Sequence, residues 1–169
     1  MIILRKAKAK DISSIQSIAD STWYNTYADY LSAEQIEYML QKMYNEGTLM
    51  AQLQEGQIFL IASNNERDIG FAGFSRSEHN AGTYKLHKLY VLPEMHGLGV
   101  GKLLINEVLK SIKELGGKYV ELNVNRNNKA AAFYKSAGFE IKDSVDLDIG
   151  EGYFMNDYVM VKAITEEAT

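Results

Sequence analysis

The chain has 169 residues, 46% hydrophobic and 24% charged, which is enough for one well-buried core and short for two independent ones, so a single domain over residues 1–169 is expected. A net charge of −4 excludes the overall positive field that draws proteins to nucleic acid or anionic lipid, and a cationic or small neutral partner is the easier one to accommodate. With no cysteine, a disulfide framework, a thiolate metal site and a thiol nucleophile are all excluded. Charge arrives early, at Arg5 and Lys6, and no apolar run approaches the ~18 residues of a membrane span, so a cytoplasmic protein is expected, neither secreted nor membrane-inserted.

Residues 2–4 read as a short strand. Asp11 can cap a helix whose apolar Ile12, Ile15, Ala19 and Trp23 lie near one face. Ser32, with Gln35 three residues on, has capping-box spacing, and Ile36, Met39, Leu40 and Met43 follow at helical period. The first third is therefore expected to be mainly helical. The period then changes to strands at residues 58–62, 69–74 and 83–92, joined most simply as two hairpins in series. Residues 97–115 form an amphipathic helix through Leu104, Val108, Ile112 and Leu115, ending at Gly116 and Gly117. A strand at 119–124, a short helix at 129–137 stopped by Gly138, and two further strands reaching Val161 complete an α+β order with a central βαβ unit. The sole proline, Pro93, and the lack of low-complexity segments leave no linker in view.

Between the strand ending at Leu92 and the following helix lies Pro93-Glu94-Met95-His96-Gly97-Leu98-Gly99-Val100-Gly101-Lys102, with glycines on alternate positions. Such a loop can turn several backbone N–H groups onto one anion at the positive end of a helix dipole, because glycine lets the backbone approach closely. A flexible turn that binds nothing would have the same composition. A Walker loop would need glycine at His96 and a hydroxyl at Leu103. A dinucleotide fingerprint would need glycine at Lys102 and a parallel sheet starting there. A third pattern, Gln/Arg-x-x-Gly-x-Gly/Ala, fits from position 96, with Gly99 and Gly101 in place and His96 where Gln or Arg is usual.

After the next strand comes Asn125-Arg126-Asn127-Asn128-Lys129-Ala130-Ala131-Ala132-Phe133-Tyr134-Lys135-Ser136-Ala137-Gly138-Phe139. Together with the loop, this segment resembles the GNAT N-acetyltransferase superfamily in order, spacing and expected secondary structure over residues 83–139. The resemblance implies an αβα sandwich of α+β class: a central mixed, mostly antiparallel sheet of about seven strands, with splayed parallel central strands and flanking helices. It implies acetyl-CoA as co-substrate and no metal. Main-chain groups of Leu89, Tyr90 and Val91 would serve the pantetheine arm; the amides of His96, Gly97, Leu98, Gly99, Val100, Gly101 and Lys102 would hold the pyrophosphate. Asn127 would bond the pantetheine, and Tyr134 would sit near the sulfur. Lys102, Arg126 and Lys129 could reach CoA phosphates or equally be solvated surface charges. Thr22-Trp23, Thr26-Tyr27, Leu31-Ser32-Ala33-Glu34-Gln35, Tyr38-Met39-Leu40 and the tail Gly152-Tyr153-Phe154-Met155-Asn156-Asp157-Tyr158 are similar to a bacterial branch that includes polyamine acetyltransferases.

In that family the amine attacks the thioester directly. An alkylamine with a pKa of about 10.4 must first lose a proton, at a cost of about 4 to 5 kcal/mol at neutral pH. Candidate proton acceptors are His87, on the strand entering the loop, and a carboxylate such as Asp20, Asp29 or Asp157. His87 can equally be a polar residue on a partly covered strand face. Tyr134 could protonate the departing thiolate or simply cover the core, and Asn127 could instead cap the short helix. Trp23, Tyr27 and Tyr153, with Phe154, either line an amine pocket through cation–π contact or are buried rings. His79, His87 and His96 are too scattered for a metal site. The expected activity is acetyl transfer to a primary amine, a polyamine or other small amine, with a protein or peptide amino group second and a non-catalytic CoA-binding regulatory module as the rival class. A homodimer is compatible with this reading.

Overall fold

In the computed structural model, which describes residues 1–164, the elements run β1 (Ile2–Lys6), α1 (Ile12–Tyr27), α2 (Ala33–Tyr44), α3 (Glu46–Gln54), β2 (Ile58–Asn64), β3 (Arg67–Arg76), β4 (Thr83–Val91), α4 (Val100–Glu114), β5 (Tyr119–Asn125), α5 (Ala130–Ser136), β6 (Glu140–Gly150) and β7 (Tyr153–Ala163). Seven strands form one mixed sheet in the order β1-β2-β3-β4-β5-β7-β6, as the expected fold class requires. The chain divides into two compact units, one built from Met1–Ser75 and Lys88–Val108, the other from Arg76–His87 and the chain from Leu109 onward.

In the first unit, β1 pairs antiparallel with β2 and β2 with β3. The β2–β3 hairpin turns on Asn65 and Glu66, both at positive φ, 51° and 68°, which is the twist-compatible type I′ geometry. The apolar stripe of α1, Ile12, Ile15, Ile18, Ala19 and Trp23, is buried. Helix α2 starts as expected: Ser32 Oγ accepts a hydrogen bond from the Gln35 amide at 3.1 Å. Asp11 does not cap α1. Its carboxylate accepts from the Lys8 amide at 2.9 Å and pairs with Arg5 at 3.0 Å, because a 3₁₀ turn at Ala9–Asp11 precedes the helix and claims it. Helix α3 was not expected from the sequence; it opens on Asn45, whose Oδ1 accepts from the Thr48 amide at 2.8 Å. The core of this unit is built on Ile15, Trp23, Ile36, Met39, Leu49, Phe59, Ile61, Ile69, Phe71 and Leu104, each under 2% exposed or at that limit.

In the second unit, β4 and β5 are parallel, from Thr83↔Tyr119 to Leu86↔Leu122, and this ladder stops short of His87 and Asn123. Strand β7 pairs antiparallel with β5 and with β6. Strand β6 is the last in the sheet, mostly exposed, and shifts register twice, at Ile141/Asp143 and at Asp148/Gly150. Gly116, at φ +84°, ends α4, and Gly138, at φ +98°, ends α5, as their positions in the sequence foretold.

Candidate active site

The glycine loop belongs to the first unit. Strand β4 ends at Val91, a short 3₁₀ turn follows at Pro93–Met95, and α4 begins only at Val100. The helix does not reach back to residue 97, because Gly97 and Gly99 have φ of +83° and +80°, outside any right-handed helix. A Cβ added at either glycine would meet nothing within 4 Å, so the glycines serve backbone direction rather than tight packing. Val100 is 1% exposed and anchors the start of α4, while Leu98 is 61% exposed. The first-turn amides of α4 have no intrahelical acceptor, and the left-handed residues before them leave a polar, uncrowded helix N-terminus of the kind that accepts a phosphate group.

His96 has a structural task in this loop. Its Nε2 lies 2.9 Å from the Val91 carbonyl oxygen, so the ring, donating from Nε2, ties the loop back to the end of β4. Of Val91, then, the carbonyl is already in use. The Leu92 amide donates to Ile69 of β3 at 2.8 Å and holds the strand end from its other side. Tyr90 is half-buried, its hydroxyl 2.9 Å from that of Tyr27 on α1. The Trp23 ring, 2% exposed, is surrounded by Tyr27 at 4.6 Å, Tyr44 at 5.8 Å and Tyr90 at 5.8 Å between centroids. Trp23 and Tyr27 thus build the core of the first unit. Lys88, a buried cation with no signal in the sequence, lies over the rings of Tyr44 and Phe59.

His87, Asn127, Tyr134, Tyr153 and Asp157 belong to the second unit. Asn127 is exposed and does not cap α5; Asn128 Oδ1 accepts from the Ala130 amide at 2.9 Å, and Asn125 Oδ1 accepts from the amide of Asn127 at 2.9 Å. Two neighbouring asparagines thus shape the turn and leave the Asn127 side chain to other partners. Tyr134 is 8% exposed on α5, packed against Phe133 at 5.2 Å and Phe139 at 5.8 Å, and burial pushes its phenol well above the usual range. His87 is exposed on β4 where the parallel ladder stops. Of the three candidate carboxylates, Asp20 and Asp29 are exposed. Asp157 is 4% exposed on β7, opposite Asn125, and accepts weakly from Asn123 Nδ2 at 3.5 Å. Burial raises its pKa, while the Asn123 contact and the charges of Lys85 and Arg126 oppose the rise. Tyr153 is half-buried and Phe154 is 49% exposed at the start of β7. Arg126 pairs with Asp146 and donates to Ser144, both on β6, whereas Lys102 and Lys129 are exposed. Among the described residues there is no cluster of three or more His, Cys, Asp or Glu able to hold a metal, and no helix long and apolar enough to cross a membrane.

The acetyltransferase (GNAT) domain model matches residues 27–150, a stretch that holds both the glycine-fed N-terminus of α4 and the Asn127 and Tyr134 segment. The chain belongs to the GNAT acetyltransferase family, whose members are N-acetyltransferases. It is 30% identical over 149 residues to spermidine N(1)-acetyltransferase of Thermoplasma acidophilum, covering 85% of this chain and 91% of that one. It is also 30% identical over 128 residues to the peptidyl-lysine N-acetyltransferase YjaB of Escherichia coli, covering 74% of each. Among solved structures, PaiA N-acetyltransferase from Thermoplasma acidophilum in complex with coenzyme A superposes with a TM-score of 0.82 at 28% identity, covering 96% of this chain and 99% of that one.

Proposed function

We propose that this enzyme transfers the acetyl group of acetyl-CoA to a primary amine of a small polycationic acceptor, a polyamine. The observation that carries this reading is the left-handed backbone at Gly97 and Gly99 before α4, which gives a diphosphate its amide cradle. In this reading the amides of residues 96–102 hold the pyrophosphate of CoA, and main-chain groups of Leu89, Tyr90 and Val91, with the Asn127 side chain, serve the pantetheine arm. The acceptor nitrogen, as the neutral amine, attacks the thioester carbonyl carbon; the C–N bond forms, the C–S bond breaks, and the sulfur leaves as thiolate. Tyr134 donates a hydrogen bond, then a proton, to that sulfur. His87 or Asp157 takes the proton the amine must lose, and Tyr153 lines the acceptor's path. A net charge of −4 and the similarity to a spermidine acetyltransferase support a polycation. The comparable similarity to a peptidyl-lysine acetyltransferase supports a lysine side chain as the second acceptor class.

Following free thiol release from acetyl-CoA with spermidine, putrescine, a simple alkylamine and a lysine-containing peptide tests both readings. Spermidine is expected to give the highest kcat/KM and the peptide a lower one. If acetyl-CoA raises the melting temperature and no amine increases thiol release above hydrolysis, the catalytic reading fails and a CoA-binding module remains. The cradle has its own test. Gly99→Val places a β-branched residue at φ +80°, a conformation costing such side chains roughly 1–3 kcal/mol. The backbone is expected to rotate away, weakening acetyl-CoA binding by about tenfold or more in calorimetric titration.

A further inference from the structure

Lys88 is 6% exposed, and among the described residues no carboxylate lies within ion-pair distance of it. Its Nζ donates to Gln52 Oε1 of α3 at 2.8 Å and to Gln57 Oε1, just before β2, at 3.1 Å. The same Nζ stands 5.1 Å from the ring centre of Phe59 on β2 and 5.7 Å from that of Tyr44 at the end of α2. Room for this arrangement is made from the opposite strand. Gly73 of β3 pairs with Phe59, and a Cβ at Gly73 would stand 3.0 Å from both Gln57 Oε1 and the Phe59 ring. Three loci far apart in sequence, residues 52–59, Gly73 and Lys88, are thus shaped around one ammonium group. Hydrophobic residues of equal volume would fill the same space without the desolvation cost, so stability alone does not account for a cation here.

The position of Lys88 in β4 accounts for it. Lys88 directly precedes Leu89, Tyr90 and Val91, and by strand alternation its side chain shares a face with that of Tyr90, whose hydroxyl meets Tyr27 of α1. Lys88 and Tyr90 are therefore two polar anchors, two residues apart, that fix the strand end to α3, β2 and α1. We propose that Lys88 is a positioning residue of the acetyltransferase, its buried ammonium holding the β4 backbone at residues 89–91 in register for the acyl-CoA arm. This rests on the reading that those residues serve the pantetheine.

The anchor is also sensitive to pH. Burial lowers the Lys88 pKa from 10.5 to about 8. The groups facing its Nζ are Gln52, Gln57, Phe59 and Tyr44, and of these Tyr44 alone titrates, its phenol held neutral by burial. On losing its proton Lys88 keeps two N–H bonds for the two glutamines. It loses the charge that strengthens those bonds and the attraction to the two rings.

The test is calorimetric titration with acetyl-CoA, which lacks a free thiol, between about pH 6.5 and 9.5. Wild type is expected to bind progressively more weakly as pH passes through about 8. Lys88→Met is expected to bind about tenfold more weakly at neutral pH and to lose that pH step, while kcat at saturating acetyl-CoA changes much less. Ile36→Val, a core change on α2, should lower the melting temperature and leave acetyl-CoA affinity alone. Equal affinities and identical pH profiles for wild type and Lys88→Met would overturn the proposal. Should Lys88→Met not fold, Gly73→Ala, which displaces Gln57 and Phe59, is expected to weaken binding in the same direction; an unchanged profile there also sinks it. If wild type itself does not bind acetyl-CoA, the functional reading fails first, and the two failures are distinguishable.

Discussion

Tyr134→Phe is expected to keep acetyl-CoA affinity within about twofold and to lower turnover by about 10²-fold or more, the range of a lost general acid. The substitution removes one oxygen and keeps the ring that packs on Phe133 and Phe139, so the fold is expected to stay within about 1 kcal/mol of wild type. Burial sharpens the role. A thiol pKa near 8.5 already makes proton transfer from an ordinary phenol uphill, and burial moves the Tyr134 phenol further from it. The phenol therefore stays protonated at every working pH, and in the proposed role it acts first as a hydrogen-bond donor to the developing thiolate, with transfer completed only as the C–S bond breaks. The alkaline limb of the pH–rate profile is then expected not to report Tyr134. Acetyl-CoA binding by calorimetry and kcat by thiol release check the two halves of this prediction; wild-type turnover in Tyr134→Phe would remove the residue from the chemistry.

Trp23→Ala is expected to destabilise the protein by about 3–5 kcal/mol, the cost of deleting a fully buried aromatic ring. The indole is enclosed by Tyr27, Tyr44 and Tyr90, and three aromatic contacts are lost with it. For a chain of this size that corresponds to a fall of roughly 6–20 °C in melting temperature. Trp23→Phe separates packing from substrate contact. It is expected to recover much of the stability and leave the KM of the amine unchanged. A selective rise in that KM in the Phe variant would show that the indole faces the acceptor.

Much of this architecture was legible because the signals were local. The Ser32–Gln35 spacing did produce a capped helix, and Gly116 and Gly138 do stop α4 and α5 at positive φ. The loop and the Asn127–Tyr134 segment carried the family because both are contiguous motifs whose spacing survives without knowledge of the fold. What the sequence hid depends on partners far along the chain. Asp11 is drawn to Arg5, Arg5 is shared with Asp68 across sixty-three residues, and no local capping rule sees that competition. Helix α3 has a weakly amphipathic sequence, Glu-Gly-Thr-Leu-Met-Ala-Gln-Leu-Gln, in which Leu49 alone is fully buried, so its periodicity was invisible. Lys88 reads as one more polar residue in an alternating strand; only with Gln52, Gln57, Phe59 and Tyr44 folded around it does its burial show. His96 looked like a defect in the cofactor pattern, and its contact with Val91 depends on a loop geometry that glycine content alone does not specify.

Strand β6 is the last of the sheet and runs eleven residues, mostly exposed, long enough to template the addition of strands from other chains. Its sequence answers that hazard. Glu140, Lys142, Asp143, Asp146 and Asp148 line it with charge, and the two register shifts break the flat, continuous edge that an incoming strand would need. The sheet can therefore extend its last hairpin into water without becoming a seed for cross-chain aggregation.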